Sequence, residues 1–129
     1  IMGQLGYNHG DIGWMQLNTA DPETSINFYQ EVFGWDRFDG PVPEYKVFGK
    51  NGEMMGGVTG FPEGCDHPAW IPYITVADLD SVLEAIKAKD CQILMGPDPL
   101  PDGGRIFVFA DPQGAPTGVA QYGKGPDSK

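Results

Sequence analysis

Residues 109–119, Phe109-Ala110-Asp111-Pro112-Gln113-Gly114-Ala115-Pro116-Thr117-Gly118-Val119, repeat in outline what residues 48–58 have already set down. Phe48 is followed nine positions later by Gly57-Val58, and Phe109 nine positions later by Gly118-Val119, an offset of 61 in both cases. Upstream, Asp21 opens a helix-like run after a strand-like one, and Asp78 does the same 57 positions further on. Two similar units of about 55 to 60 residues therefore fill the chain. A unit that small buries too little apolar surface to be comfortable alone, so the two are expected to pack together and leave a cleft between their inner faces.

Working outward, each unit reads as β-α-β-β-β. In the first, residues 12–19 alternate like a strand, and Asp21-Pro22-Glu23 then supplies a cap, a first-turn proline and an early acid. The helix should run to about Phe33 and close on Gly34. A faint strand signal covers 35–38, and two stronger ones, 44–50 and 53–59, flank Asn51-Gly52, a strong short hairpin signal. The second unit has strands expected at 70–76, 91–94, 105–110 and 117–122, with a helix over 79–89. A Pro/Gly-rich loop from Gly96 to Gly104, long enough for a flap, ends at Arg105. The boundaries expected are 10–60 for the first module, 61–68 for a linker, 69–122 for the second module and 123–129 for a tail.

Composition narrows the class. With 129 residues, 40% of them hydrophobic, the chain can bury one real core. No run approaches the roughly 18 to 20 apolar residues of a membrane span, and the first residues lack a secretory pattern, so a cytoplasmic address is expected. Eighteen acidic residues against eight basic ones give a net charge of −10, which argues against nucleic acid and anionic membrane as partners and is compatible with a cationic ligand, though it is explained as well by plain solubility. Cys65 and Cys91 are too few for a disulfide framework and read as free thiols.

The run Trp14-Met15-Gln16-Leu17-Asn18-Thr19-Ala20-Asp21, leading to Phe28-Tyr29 and Phe33-Gly34-Trp35, with Asp111-Pro112-Gln113-Gly114 near the end, resembles the vicinal oxygen chelate superfamily. That superfamily includes glyoxalase I, bleomycin-resistance proteins, fosfomycin-resistance enzymes and extradiol dioxygenases, and the resemblance covers residues 10–122. It implies an α+β fold of two tandem βαβββ modules whose curved mixed sheet encloses a small-molecule cavity, often completed in a homodimer. In metal-dependent members it further implies His, Gln or Glu ligands on the first and last strands of each module. The matching positions here, to within one residue, are Trp14, Gly57, Ile71 and Gly118, none with a side chain able to ligate a cation, so no metal and no cofactor are expected.

Strand alternation assigns faces. Met15, Leu17, Ile74 and Val76, with Val47, Val58, Val108 and Val119, suit the side covered by helices. Trp14, Gln16, Asn18, Ile71, Tyr73 and Thr75 then face the other way, together with Lys46, Phe48, Met55, Gly57, Phe107, Phe109 and Gly118. From that face the expected ligand-binding residues are Trp14, Gln16, Phe48, Met55, Tyr73, Phe107 and Phe109, an aromatic lining with a few polar groups. His9 and His67, near Asp11 and Asp66, read as surface groups. Glu53 and Asp111 read as turn acids, and Cys91 as a core thiol, so no catalytic residue stands out.

Two functions fit: a metal-free protein that binds a hydrophobic, neutral or cationic small molecule, or a glyoxalase-like lyase or dioxygenase with a displaced metal site. A third use of the fold is dimerisation or a regulatory contact alone.

Overall fold

The computed structural model describes residues 8–62 and 66–123. In chain order they form β1 (Ile12–Asn18), α1 (Pro22–Phe33), β2 (Asp36–Phe38), β3 (Lys46–Lys50), β4 (Glu53–Thr59), β5 (Ala69–Thr75), α2 (Leu79–Ala88), β6 (Ile93–Pro99), β7 (Arg105–Ala110) and β8 (Pro116–Gln121). The α+β class and the doubled β-α-β-β-β order follow the expectation. Cys65 lies outside the described residues.

Local chemistry sets both helices. The Asp21 carboxylate accepts from the Thr24 N–H at 3.2 Å and the Thr24 hydroxyl at 2.7 Å, while Pro22 stands where no N–H partner is needed. Gly34, with φ at 72°, closes α1 by donating its N–H to the Gln30 carbonyl. Asp78 caps α2 through Ser81, and the Gln121 side chain on β8 accepts the Leu79 N–H at 2.7 Å.

Packing divides the chain into two units, residues 14–71 and the described residues outside that range, with β1 and β5 each running across the division. In the first βαβββ run, β1 pairs parallel with β4, β4 antiparallel with β3, and β3 antiparallel with β2. The second repeats this, with β5 parallel to β8, β8 antiparallel to β7 and β7 antiparallel to β6. Asn51 and Gly52 both take positive φ, at 56° and 82°, which is what a twist-matched two-residue hairpin turn requires.

Ile26 of α1 packs on Leu17, Phe48 and Val58 of the sheet, with Tyr29 of the same helix and Met15, Trp35, Met55 and Trp70 against them. Tyr29 stacks on Trp35 at 5.1 Å between ring centroids, and Trp35 stacks on Phe48 at 4.5 Å. Trp70 meets all three rings edge-on, at interplanar angles of 78°, 82° and 88°. The Phe33-Gly34-Trp35 sequence is thus a device for folding the chain back so that Trp35 reaches Tyr29. Under α2 the core is Val76, Leu79, Leu83, Phe107 and Val119, with Ile74, Ile86 and Phe109 against it.

These cores correct part of the face assignment. Phe48, Phe107 and Phe109 pack on the helix side, and Val47 and Val108 fall on the opposite one. On β4 the cause is a bulge: Gly49 pairs with Met54 but Phe48 pairs with Gly56, so Met55 is an extra residue and parity slips by one beyond it. Lys46 accordingly pairs with Val58 rather than Gly57, and its ammonium lies 3.5 Å from Glu23 of α1. On the other hairpin, Ala110 pairs with Pro116 around an odd five-residue turn, which puts Phe107 opposite Val119 on one face.

The flap is also corrected. Strand β6 extends to Pro99, holding its pairing with β7 through two register shifts, and only residues 100–104 remain as the connection. Proline is tolerated because β6 is the outermost strand of its run. Arg105 pairs with Asp80 at 2.9 Å, which depresses the Asp80 carboxyl below its usual range.

Candidate functional site

On the side of β1 and β4 away from α1, a row of polar groups is linked in one direction. The Trp14 indole N–H donates to the Tyr45 hydroxyl at 2.8 Å, and that hydroxyl donates to Gln16 Oε1 at 2.9 Å. Gln16 Nε2 donates to Asn18 Oδ1 at 3.4 Å, and Asn18 Nδ2 donates to the Gly60 carbonyl at 2.8 Å. The last acceptor is a backbone carbonyl and the first donor an indole, neither of which can reverse its role, so both amides and the phenol are held in one orientation. Asn18 is buried, while Trp14, Gln16 and Tyr45 are half-buried.

Tyr45 reaches this row because Gly57 has no side chain. A β-carbon on Gly57 would collide with Cε1, Cζ and the hydroxyl oxygen of the Tyr45 ring. Burial pushes the Tyr45 phenol above its ordinary pKa of 10.0, with the Trp14 hydrogen bond acting the other way. Tyr45 also borders an open cavity of about 470 Å³, whose other walls include Arg37, Phe38, Val42 and Lys46. Its cations are balanced from α1: Arg37 binds both oxygens of Glu23, at 2.8 and 2.6 Å, and holds that carboxyl down to about 2.

Of the expected ligand-binding residues, the structure brings Trp14 and Gln16 together through Tyr45. Tyr73, in the other unit, is buried with its ring over Gly118, the repeat-equivalent of Gly57. Phe48 and Phe107 are 2% and 0% exposed inside the cores, Phe109 packs beside Phe107, and Met55 packs against the core under α1. Tyr45 itself was missed. It precedes β3, and an unbulged hairpin puts Lys46 in its place over Gly57; the signal that would have found it is the parity slip at Met55.

The remaining candidates have structural duties. Asp111 accepts the N–H groups of Gln113 and Ala115, each at 2.9 Å, and so organises its turn. His9 accepts the Ala77 N–H through Nδ1, and His67 meets Asp66 at 3.2 Å. Cys91 is not the core thiol expected: it lies between α2 and β6, half-buried and outside the core under α2, with its sulfur 3.9 Å from the Lys89 carbonyl.

A sequence model of the Glyoxalase/Bleomycin resistance protein/Dioxygenase superfamily matches residues 11–117. The chain belongs to this superfamily. It is 33% identical, over 89% of its length, to "Putative glyoxylase CFP32" of Mycobacterium tuberculosis and covers 47% of that protein. To "Anthracycline biosynthesis protein DnrV" of Streptomyces peucetius it is 28% identical, covering 88% of this chain and 48% of the relative. The chain thus spans about half the length of the curated relatives it matches. Among solved structures, a variant of Streptomyces coelicolor methylmalonyl-CoA epimerase bound to 2-nitronate-propionyl-CoA aligns with a TM-score of 0.64 at 16% identity, covering 88% of this chain and 97% of the epimerase. That likeness is one of fold.

The glyoxalase-superfamily positions expected to carry metal ligands are Trp14, Gly57, Ile71 and Gly118. The space over each glycine is taken by a tyrosine ring, and the Trp14 N–H is a donor already spent on Tyr45. Among the described residues, no group of three or more His, Cys, Asp or Glu side chains is placed to hold an ion. The residues at these positions do not fit a divalent cation.

Proposed function

We propose that this member of the superfamily binds a hydrophobic small molecule, neutral or cationic, without a catalytic metal. The observation that carries the reading is Tyr45, which is hydrogen-bonded to Trp14 and Gln16 and also lines an open cavity of about 470 Å³, within the range of ligand pockets. Its aromatic surface suits stacking or cation-π contact, and its hydrogen-bonding groups suit one fixed polar atom of a ligand. The acidic balance of the chain, 18 residues against 8, favours a cation over an anion in the surrounding field. Tyr73 repeats the placement of a tyrosine ring over a glycine, at Gly118, but is buried, and with Phe48, Phe107 and Phe109 it serves as scaffold. Action in the cytoplasm and as a homodimer belongs to the same proposal.

A second reading, a metal-dependent lyase or dioxygenase with a displaced site, draws on the name of the mycobacterial relative. The two separate on metal content. Purified protein exposed to Zn, Ni, Mn and Fe, then desalted and analysed by ICP-MS, should retain none stoichiometrically. Retention near one ion per chain would overturn the metal-free reading and call for glyoxalase and dioxygenase assays. A thermal-shift screen of aromatic and cationic compounds, an anthracycline among them because of the Streptomyces relative's name, should find stabilising ligands. A uniformly flat screen would leave the fold serving contacts alone.

A further inference from the structure

Tyr45 occupies its slot as a ligand would. Its side chain is a p-cresol group, tethered to a loop of glycine and prolines (Gly40-Pro41-Val42-Pro43), and its hydroxyl oxygen is received by one donor and one acceptor from β1. The direction of the chain from Trp14 to Gly60 fixes what that receptor asks for. Trp14 Nε1 must donate and Gln16 Oε1 accepts, because the Gln16 amide nitrogen is turned toward Asn18 Oδ1 at 3.4 Å and the Asn18 amide nitrogen toward the Gly60 carbonyl, which leaves Gln16 Oε1 facing the slot. A hydroxyl meets both by accepting and donating through a single atom, and here it is carried on a flat ring that lies against the bare backbone of Gly57.

We propose that Tyr45 is an internal surrogate for a hydroxyaromatic ligand, and that the ligand's phenol takes the place of the Tyr45 phenol between Trp14 and Gln16. The proposal rests on the reading above that this face holds a small-molecule site, and it adds the chemical class of the occupant. The displaced ring has somewhere to go, because Tyr45 already forms one wall of the open cavity lined by Arg37, Phe38, Val42 and Lys46. The receiving groups sit on β1, paired along β4, whereas the surrogate sits at the end of an exposed connection. Ligand and surrogate therefore compete, and the apparent affinity of the native chain is lowered by the fraction of time Tyr45 fills the slot.

The test is isothermal titration of p-cresol and of 4-methylanisole, its methyl ether, into the native chain and into Tyr45→Ala, Tyr45→Phe and Gln16→Leu. The ether can accept from Trp14 but cannot donate to Gln16. Removing the surrogate in Tyr45→Ala should tighten p-cresol binding by about tenfold or more relative to the native chain. Tyr45→Phe, whose ring keeps its place without the two hydrogen bonds, should fall between them and serves if the alanine variant does not fold. The native chain should prefer p-cresol to the ether, and Gln16→Leu should erase that preference. Equal affinity for p-cresol in the native chain and both Tyr45 variants would overturn the proposal, as would equal affinity for p-cresol and its ether. If other aromatic or cationic compounds still bind the native chain in that event, only the hydroxyaromatic assignment fails. If no compound binds any of the four proteins, the small-molecule reading fails with it.

Discussion

The Tyr45 ring rests against the α-carbon of Gly57, and neither residue makes sense without the other. In Gly57→Ala the added methyl group meets the ring rather than backbone, so the ring must move and its bonds to Trp14 and Gln16 weaken. A loss of about 1–3 kcal/mol is expected from urea denaturation. The double variant Gly57→Ala with Tyr45→Ala should lose less than the sum of the two single changes, since the colliding group is gone.

Gly56 next door should behave differently. A β-carbon there collides with the Met15 backbone carbonyl as well as the Phe48 ring, and a paired strand cannot swing aside. Gly56→Ala is expected to cost more than Gly57→Ala by the same measurement, and truncating Phe48 to leucine should not restore it.

Tyr45→Phe isolates the hydroxyl. It leaves the Trp14 N–H and the Gln16 carbonyl without their shared partner, for an expected loss of about 1–3 kcal/mol at neutral pH. Because the folded-state pKa lies above the ordinary value of 10.0, the folded chain keeps this proton at pH values where the unfolded chain releases it. The contribution is therefore fully present below pH 10.0 and is lost as pH rises through the folded-state value. Denaturation midpoints followed upward from pH 9 should fall less steeply in Tyr45→Phe than in the native chain.

Glu23 gives the opposite sign. Its carboxyl, held near 2 by Arg37 against an ordinary 4.5, adds stability above pH 4.5 that disappears as pH falls toward 2. In Glu23→Gln or Arg37→Met, the stability curve between those limits should be flatter. Both partners are substantially exposed, so added salt should shrink the difference.

Trp35 is the middle ring of the stack between Tyr29 and Phe48. In chemical denaturation Trp35→Ala should lose less than a fully buried aromatic, for which the cost is about 3–5 kcal/mol, because Trp35 is only partly buried, but clearly more than a surface substitution. Trp35→Phe, which keeps a ring between its neighbours, should lose less.

What could be read from the sequence was whatever chemistry settles within a few residues. Asp21-Pro22 and Gly34 bound α1 by themselves, and Asn51-Gly52 makes its turn without help, so helix, hairpin and the doubled order were all legible. The faces of β3 and β7 were not, because each depends on a count made elsewhere. One extra residue at Met55, and an odd turn at Asp111–Ala115, exchange inside for outside along a whole strand. Tyr45 escaped for the same reason, since only the true register places it over Gly57. Strand β6 was read too short because Gly96 and Pro97 signal a loop locally, while pairing with β7 continues the strand past them.

The three tryptophans of this chain have been given different work, and that makes the protein its own optical instrument. Trp35 and Trp70, with ring centroids 6.4 Å apart, are close enough to exchange excitation and will report on the core under α1 as a coupled pair. Trp14 alone has its indole N–H in the polar row with Tyr45. With phenylalanine at positions 35 and 70, the emission that remains would come from the one ring touching the slot, and its colour would follow the departure of the Tyr45 hydroxyl.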